Sequence, residues 1–412
     1  QTLTHDITAV MAYNAFEALE LDRVKTEKSI SYIDHNVLCT DHRTSDDHLF
    51  LKTIAQKYGI YYSTPGNGIC HSVHISRFAI PGKTLLGADS HTASSGAIGM
   101  FAFGGGGVEV ARAMAGLRIK LNMPKIIKVN LIGKLNGGVN TKDIALELLK
   151  KYSVKGGVGK VFEYAGEGLK HLEIPQRMTI TNMGAEMGAT TSIFPTDEIT
   201  KEFFKAQNRL EDFTEFVADE GAIYDDEITI DMSKIIPLVA CPSQPDNIAD
   251  VNDEKFKDLK VSSVFIGSCT NASYGDIKKA AEILKGKKVS EDVELTIGVS
   301  TRAIFLQLLE EGTIAELVKS GARITEIACG ACDGIGGAPV SKGITVRTSN
   351  RNFKGRSGTV DAQIYLVSPE VAAATAITGK LTVANDVMSN VEKLNNILEP
   401  TEYVVDDSEI IK

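Results

Sequence analysis

The feature that most restricts how this chain can fold is a repeated switch between two hydrophobic periods. Short runs rich in β-branched residues alternate with segments whose apolar residues recur at helical spacing: KIIKVNLIG (125–133) precedes TKDIALELLKKYS (141–153), and VSSVFIGSC (261–269) precedes SYGDIKKAAEILKG (273–286). The alternation continues through VELTIGVS, the amphipathic AIFLQLLEEGTIAELVKSG, RITEIAC, GITVRTS and AQIYLVS. It ends in a helix opened by Ser368-Pro369-Glu370, a capping residue followed by proline at the first helical position. A chain patterned this way folds as α/β layers around mostly parallel sheets, with its site at the carboxyl ends of strands. Its 412 residues accommodate three such α/β/α units, 1–124, 125–241 and 242–394, and residues 395–412 read as a linker. Around Pro237 to Asp253 the periodicity lapses among prolines and acids, as a connection between units would.

Composition removes several classes of function. No apolar run is long enough to span a membrane. A net charge of -9 argues against a broad phosphate-binding face, so nucleic acid is disfavoured as a partner. Six cysteines in this length are too sparse for a disulfide scaffold and point to the cytoplasm or another reducing compartment.

Three of those cysteines carry chemistry by their setting. Cys329 and Cys332 lie in IACGACDGIGG, where RITEIAC reads as a strand giving way to a glycine-rich loop, and Cys269 ends a second strand in GSCTN. Loops at equivalent strand ends can bring three thiols together. Spacing leaves an iron-sulfur cluster, a zinc site and unrelated buried thiols all open, although no histidine between 172 and 412 offers zinc a fourth ligand. Histidines crowd instead into the first 91 residues. Asp34-His35 and Asp89-Ser90-His91 follow short β-like runs, so both acid and imidazole reach a strand-end cleft, and His71 after PGNGIC is a third candidate. Arg351 and Arg356, in SNRNFKGRSG, suit carboxylates. FGGGGVEVARAMAG (103–116) lacks phosphate-loop spacing and reads as a tight turn, while ITNMGAEMGATTSIFP (180–195) reads as a well-packed loop.

Taken together and in this order, PGNGICH, GADSHT, NMGAEMGATTSIFP, GSCTN, ACGAC and NRNFKGR resemble the aconitase family of iron-sulfur hydro-lyases. The resemblance implies that Cys269, Cys329 and Cys332 hold a 4Fe-4S cluster whose fourth iron stays open to substrate. It implies that Asp34 and His35 protonate the leaving hydroxyl, that His71, Asp89, His91 and Glu186 form the hydrogen-bonded shell around the reacting oxygen, and that Asn182 and Asn350 contact the cluster. Ser90, Arg351 and Arg356 are implied to bind substrate.

His5 stands where aconitases carry glutamine and isopropylmalate isomerases carry histidine. Ala331 stands for a usual proline, and Asp333 adds a carboxylate beside a cluster ligand. VKGGVGKVFEYAGEG (154–168) and GATTSIFP look more like aconitate hydratases, so interconversion of citrate and isocitrate through cis-aconitate is the leading expectation. A homoaconitase or 3-isopropylmalate isomerase large subunit, acting on a hydroxy-dicarboxylate, is the alternative, and a cluster-free RNA-binding regulator is a third class. The family's fourth, swivelling domain, which brings the base serine and further arginines, is expected beyond residue 412 or on a separate small subunit.

Overall fold

A computed structural model describes residues 1–412 and contains three sheets. The first has six strands in the order Ile410–Ile411, Tyr61–Ser63, Ser29–Tyr32, Thr2–His5, Thr84–Gly87 and Phe101–Gly104. All of its pairs are parallel except the one made by Ile410–Ile411. The second is a fully parallel sheet of Thr191–Ile193, Lys160–Ala165, Lys125–Ile132 and Asp226–Asp231. The third has seven strands: Ile248–Asp250, Leu238–Ala240, Gln363–Leu366, Ile344–Arg347, Ser263–Ile266, Glu294–Ile297 and Arg323–Ile324. Its last five strands are parallel, as the alternating pattern requires, and Leu238–Ala240 and Ile248–Asp250 form an antiparallel hairpin at its edge. No helix is long and apolar enough to cross a membrane.

The structure departs from the sequence reading in four places. The stretch from Pro237 to Asp253, expected as a connection, contains that edge hairpin; its strands are three residues each, too short to show a period. RITEIAC supplies only the two-residue strand Arg323–Ile324, because the chain must leave the sheet at Thr325 to carry the cysteines back toward the first sheet. ITNMGAEMGATTSIFP is not a loop: it covers the end of the helix Ile174–Gly184 and the strand Thr191–Ile193. Nine of that helix's eleven residues are buried, so it has no polar face by which an amphipathic period could betray it.

The fourth departure is the tail. Residues 395–412 run back over the molecule and add Ile410–Ile411 antiparallel to Tyr61–Ser63. Arg77 holds Asp407 through two hydrogen bonds of 2.7 Å, and Arg302 pairs with Asp406 at 2.9 Å. Tyr403 enters the largest core, which also gathers Leu3 and Ile30 from the first sheet and Val264 and Ile266 from the third. That shared core fixes the first and third sheets against each other, so loops from both can meet in one cleft. We predict that Tyr403→Ala lowers thermal stability by about 3 kcal/mol, the usual loss for a buried aromatic. Asp407→Ala, which removes a half-exposed ion pair, should cost about 0.5 kcal/mol in the same unfolding experiment.

Candidate active site

Strand ends from the first sheet supply the acid-base groups. Thr2–His5 ends at His5, Ser29–Tyr32 leads into Asp34 and His35, and Thr84–Gly87 leads into Asp89, Ser90 and His91. His71 lies in the first turn of the helix Cys70–Arg77. These side chains interlock. His35 Nδ1 lies 2.8 Å from Asp34 Oδ1, and the His5 and His35 rings stack with centroids 4.2 Å apart. Asp89 receives His71 Nε2 at 2.8 Å and His5 Nε2 at 3.2 Å, and it also accepts the His91 backbone N–H at 2.6 Å.

The second sheet's layer contributes Glu186, just past the helix Ile174–Gly184, and Asn182 in that helix's last turn. Glu186 Oε1 lies 2.7 Å from His91 Nε2, and both its oxygens accept from Arg351 Nε, at 2.9 and 3.1 Å. Arg351 also donates to Ser90 Oγ at 2.8 Å. Arg356 pairs with Asp333.

Cys269, Cys329 and Cys332 close the cleft from the third sheet, buried with Ile69, Phe265 and Ala331. Cys329 Sγ lies 3.5 Å from Cys332 Sγ. Cys269 Sγ accepts hydrogen bonds from Asn182 Nδ2 at 3.2 Å and Asn350 Nδ2 at 3.4 Å. Sulfur met by two amide donors is solvated as an anion would be. Contact with Cys329 holds Cys269 well below the ordinary thiol range and lowers Cys332 as well, while Cys329 itself is pushed up by the other two. Cys269 and Cys332 therefore favour thiolate, the form that binds metal. His71, His91 and Cys269 also bring three donor atoms within 4.8 Å of one another, as do His5, Asp6, Asp34 and His35 as a second group.

The structure thus brings His5, Asp34, His35, His71, Asp89, Ser90, His91, Cys269, Cys329, Asn350, Arg351 and Arg356 onto one cavity. Cys332, Asn182 and Glu186 sit immediately behind them. Of the remaining early histidines, His74 is a core residue bonded to Tyr32 and Gln1, His42 is exposed at the start of the helix His42–Tyr58, and His48 lies off the cavity with its Nε2 3.9 Å from Asp6 Oδ2.

Burial works against charge throughout this cleft, and the close pairing outweighs it. His35 is held well above the usual imidazole range by Asp34, Asp6 and Asp89, and His91 is raised to about 9 by Asp89 and Glu186. In return Asp34 is lowered by His35, and Asp89 is lowered far by His71, His5 and His91. At neutral pH the cleft presents imidazolium donors locked to carboxylates.

Three residues that sequence reasoning missed hold this arrangement. Asp6 accepts the backbone N–H groups of Asp34, His35 and Asn36 at 3.4, 3.1 and 2.6 Å, fixing the turn that aims His35. Its one signal was an acid directly after a strand-end histidine. Arg347, fully buried, donates to Ala331 O at 2.8 Å and to Gly337 O, clasping the cysteine loop, yet in sequence it was one more residue of a strand. Cys70 also lines the cavity; burial and the Asp34 carboxylate push its thiol well above the ordinary range, which keeps it protonated.

A cleft of this composition matches what the whole chain resembles. The family model described as Aconitase family (aconitate hydratase) covers residues 1–379. The chain belongs to the aconitase family. Among curated relatives of this aconitase-family chain, the 3-isopropylmalate dehydratase large subunit 2 of Archaeoglobus fulgidus is 37% identical over 380 residues, covering 92% of this chain and 91% of that one. The large subunit 1 of the same enzyme from Thermotoga maritima is 36% identical over 381 residues, with 92% and 91% covered. The methanogen homoaconitase large subunit of Methanocaldococcus jannaschii is 35% identical over 390 residues, covering 92% of each.

The raised value of His91 gives a stability test in the metal-free chain. A histidine raised on folding stabilises fully below its unfolded value, near 6.5, and that contribution is lost as pH rises through about 9. Wild type should therefore lose on the order of 3 kcal/mol of stability between pH 6 and 10 from this group. In His91→Gln that alkaline decline should flatten when melting temperature is followed against pH.

Proposed function

We propose that this chain is the large subunit of a hydro-lyase that isomerises a hydroxy-dicarboxylate of the isopropylmalate type by dehydration and rehydration. The observation that carries the reading is the shared cavity, in which buried thiols face an Asp34–His35 proton donor and two arginines. A 4Fe-4S cluster held by Cys269, Cys329 and Cys332 supplies, when bound, a Lewis-acidic iron with an open coordination position.

The chain's own residues do the rest. His35, kept protonated by Asp34, gives its proton to the departing hydroxyl as general acid. His71, Asp89, His91 and Glu186 orient the oxygen that leaves and returns, and Asn182 and Asn350 donate to the Cys269 sulfur that would hold the cluster. Arg351, Arg356 and Ser90 bind substrate carboxylate.

Substrate class follows from how the cations are committed. Arg351 is already paired with Glu186 and Arg356 with Asp333, which leaves little charge for a third carboxylate. Ile7, 52% exposed, lines the same cavity beside His5 and offers an alkyl substituent an apolar contact. The named relatives support this alternative over the citrate–isocitrate reading that led the sequence expectations. Every imidazole and carboxylate on the cavity wall has a partner among its neighbours, which supports an α-proton acceptor supplied by a small subunit. Exposed Leu38, Phe353 and Val360 on the site-bearing loops give such a subunit an apolar rim to cover.

The test is an anaerobic assay of the cluster-loaded chain with its small subunit. Hydration of the unsaturated dicarboxylate derived from isopropylmalate should exceed hydration of cis-aconitate in kcat/KM, and the large subunit alone should barely turn over. A preference for cis-aconitate, or full turnover without a partner, would contradict the reading. His35→Ala should lower kcat by roughly 100- to 10,000-fold with little change in KM.

A further inference from the structure

Behind the cleft lies a buried polar network that the acid-base chemistry does not use. The helix Thr141–Tyr152 starts beneath the third sheet with three buried residues, Asn140, Lys142 and Asp143. Asn140 joins Asp276, Glu370 and Asn271 through hydrogen bonds of 3.2–3.5 Å, and Asn271 lies two residues beyond Cys269. Asp143 accepts Leu238 N at 2.9 Å and caps its own helix.

Lys142 does something different. Its side chain is wholly buried, and its ammonium donates to Thr348 O at 2.5 Å and Ser349 O at 2.6 Å. Those two carbonyls immediately precede Asn350, which donates to Cys269 Sγ, and Arg351, which holds Glu186 and Ser90. Thr348 in turn exchanges hydrogen bonds with Gly267, at 2.8 and 2.9 Å, at the start of the Cys269 loop.

A buried ammonium is costly to desolvate and persists where its neighbours use the charge. Burial lowers this ammonium to about 7, and Asp143, Asp276, Cys269 and Cys332 oppose that lowering. We propose that Lys142 is a positioning residue of the dehydration centre: it clamps the Thr348–Arg351 loop so that Asn350 and Arg351 meet sulfur and substrate. This rests on the cluster assignment above.

The test compares Lys142→Met, which keeps length and volume but removes the donors and the charge, with Asp143→Asn, which loosens the same helix end without touching the site loops. Both are prepared as the cluster-loaded large subunit with its small subunit. Lys142→Met should lower kcat/KM by about 100-fold, the effect of displacing a positioning contact, and, by releasing the Asn350 hydrogen bond to Cys269 Sγ, it should move the cluster's reduction potential to a more negative value. Asp143→Asn should lose comparable thermal stability with potential and KM unchanged. Equal potentials and equal kcat/KM in wild type and Lys142→Met would overturn the proposal.

If Lys142→Met does not fold, Lys142→Arg keeps the charge but displaces the donors. It should then raise KM and move the potential in the same direction, and an unchanged KM would overturn the clamp. Failure of the wild-type chain to take up a cluster at all would instead sink the functional reading on which this rests.

Discussion

The Cys329 backbone N–H donates to the Asp34 carbonyl oxygen at 2.6 Å, and the site depends on this one hydrogen bond between loops of different sheets. Next to it, a Cβ on Gly330 would stand 2.7 Å from the carbonyl oxygen of His35, so only glycine lets the two loops come this close. The contact sets the Asp34–His35 pair and a group of thiols in one cleft. On the function proposed above each half is inert alone: three buried thiols without an acid cannot help a hydroxyl leave, and the Asp34–His35 pair without a Lewis acid faces a poor leaving group. Catalysis by such a centre comes from fixing both in one geometry before substrate arrives.

That geometry is supported from outside the cavity. Asp6 fixes the turn through 34–36 by three backbone hydrogen bonds, and Arg347 clasps the cysteine loop from the opposite side. The shared core of the first and third sheets, closed over by the tail that returns to Tyr61–Ser63, keeps the two walls in register. Charge is organised the same way. Carboxylates and imidazoles with small individual freedom form one interlocked chain from Asp34 to Arg351, so the cleft arrives preorganised and water contributes little reorganisation.

Much of this was legible in the sequence because the site residues stand at strand ends, where a short β-like run followed by an acid, a histidine or a cysteine is visible without knowing the fold. Asp34-His35, Asp89-Ser90-His91 and Cys269 were found that way, and the ordered motifs added Glu186 and the two asparagines. What stayed hidden was held by contacts remote in sequence. Asp6 and Arg347 act on backbone groups 10 to 30 residues away, and nothing in their own neighbourhoods marks them. The stretch 180–195 reads as a loop because burial on every side of the helix Ile174–Gly184, whose end it contains, erases the helical period. The segments that pointed toward citrate also have a structural explanation. VKGGVGKVFEYAGEG and GATTSIFP form the second sheet and its packing, where a Cβ on Gly157 would strike Ala189 and Thr191 donates to Ala102 O, so they report architecture and not substrate. His5, inside the cavity and stacked on His35, was the more informative residue.

The most direct test of the account is anaerobic reconstitution of the purified chain with iron and sulfide, followed by metal analysis and EPR after mild oxidation. The account predicts about four irons per chain, one of them released on oxidation to leave a three-iron signal. It further predicts loss of the cluster in Cys329→Ser and its retention in Cys70→Ser and Cys39→Ser. Stoichiometric zinc without visible absorbance, or a cluster that survives Cys329→Ser but not Cys70→Ser, would contradict it.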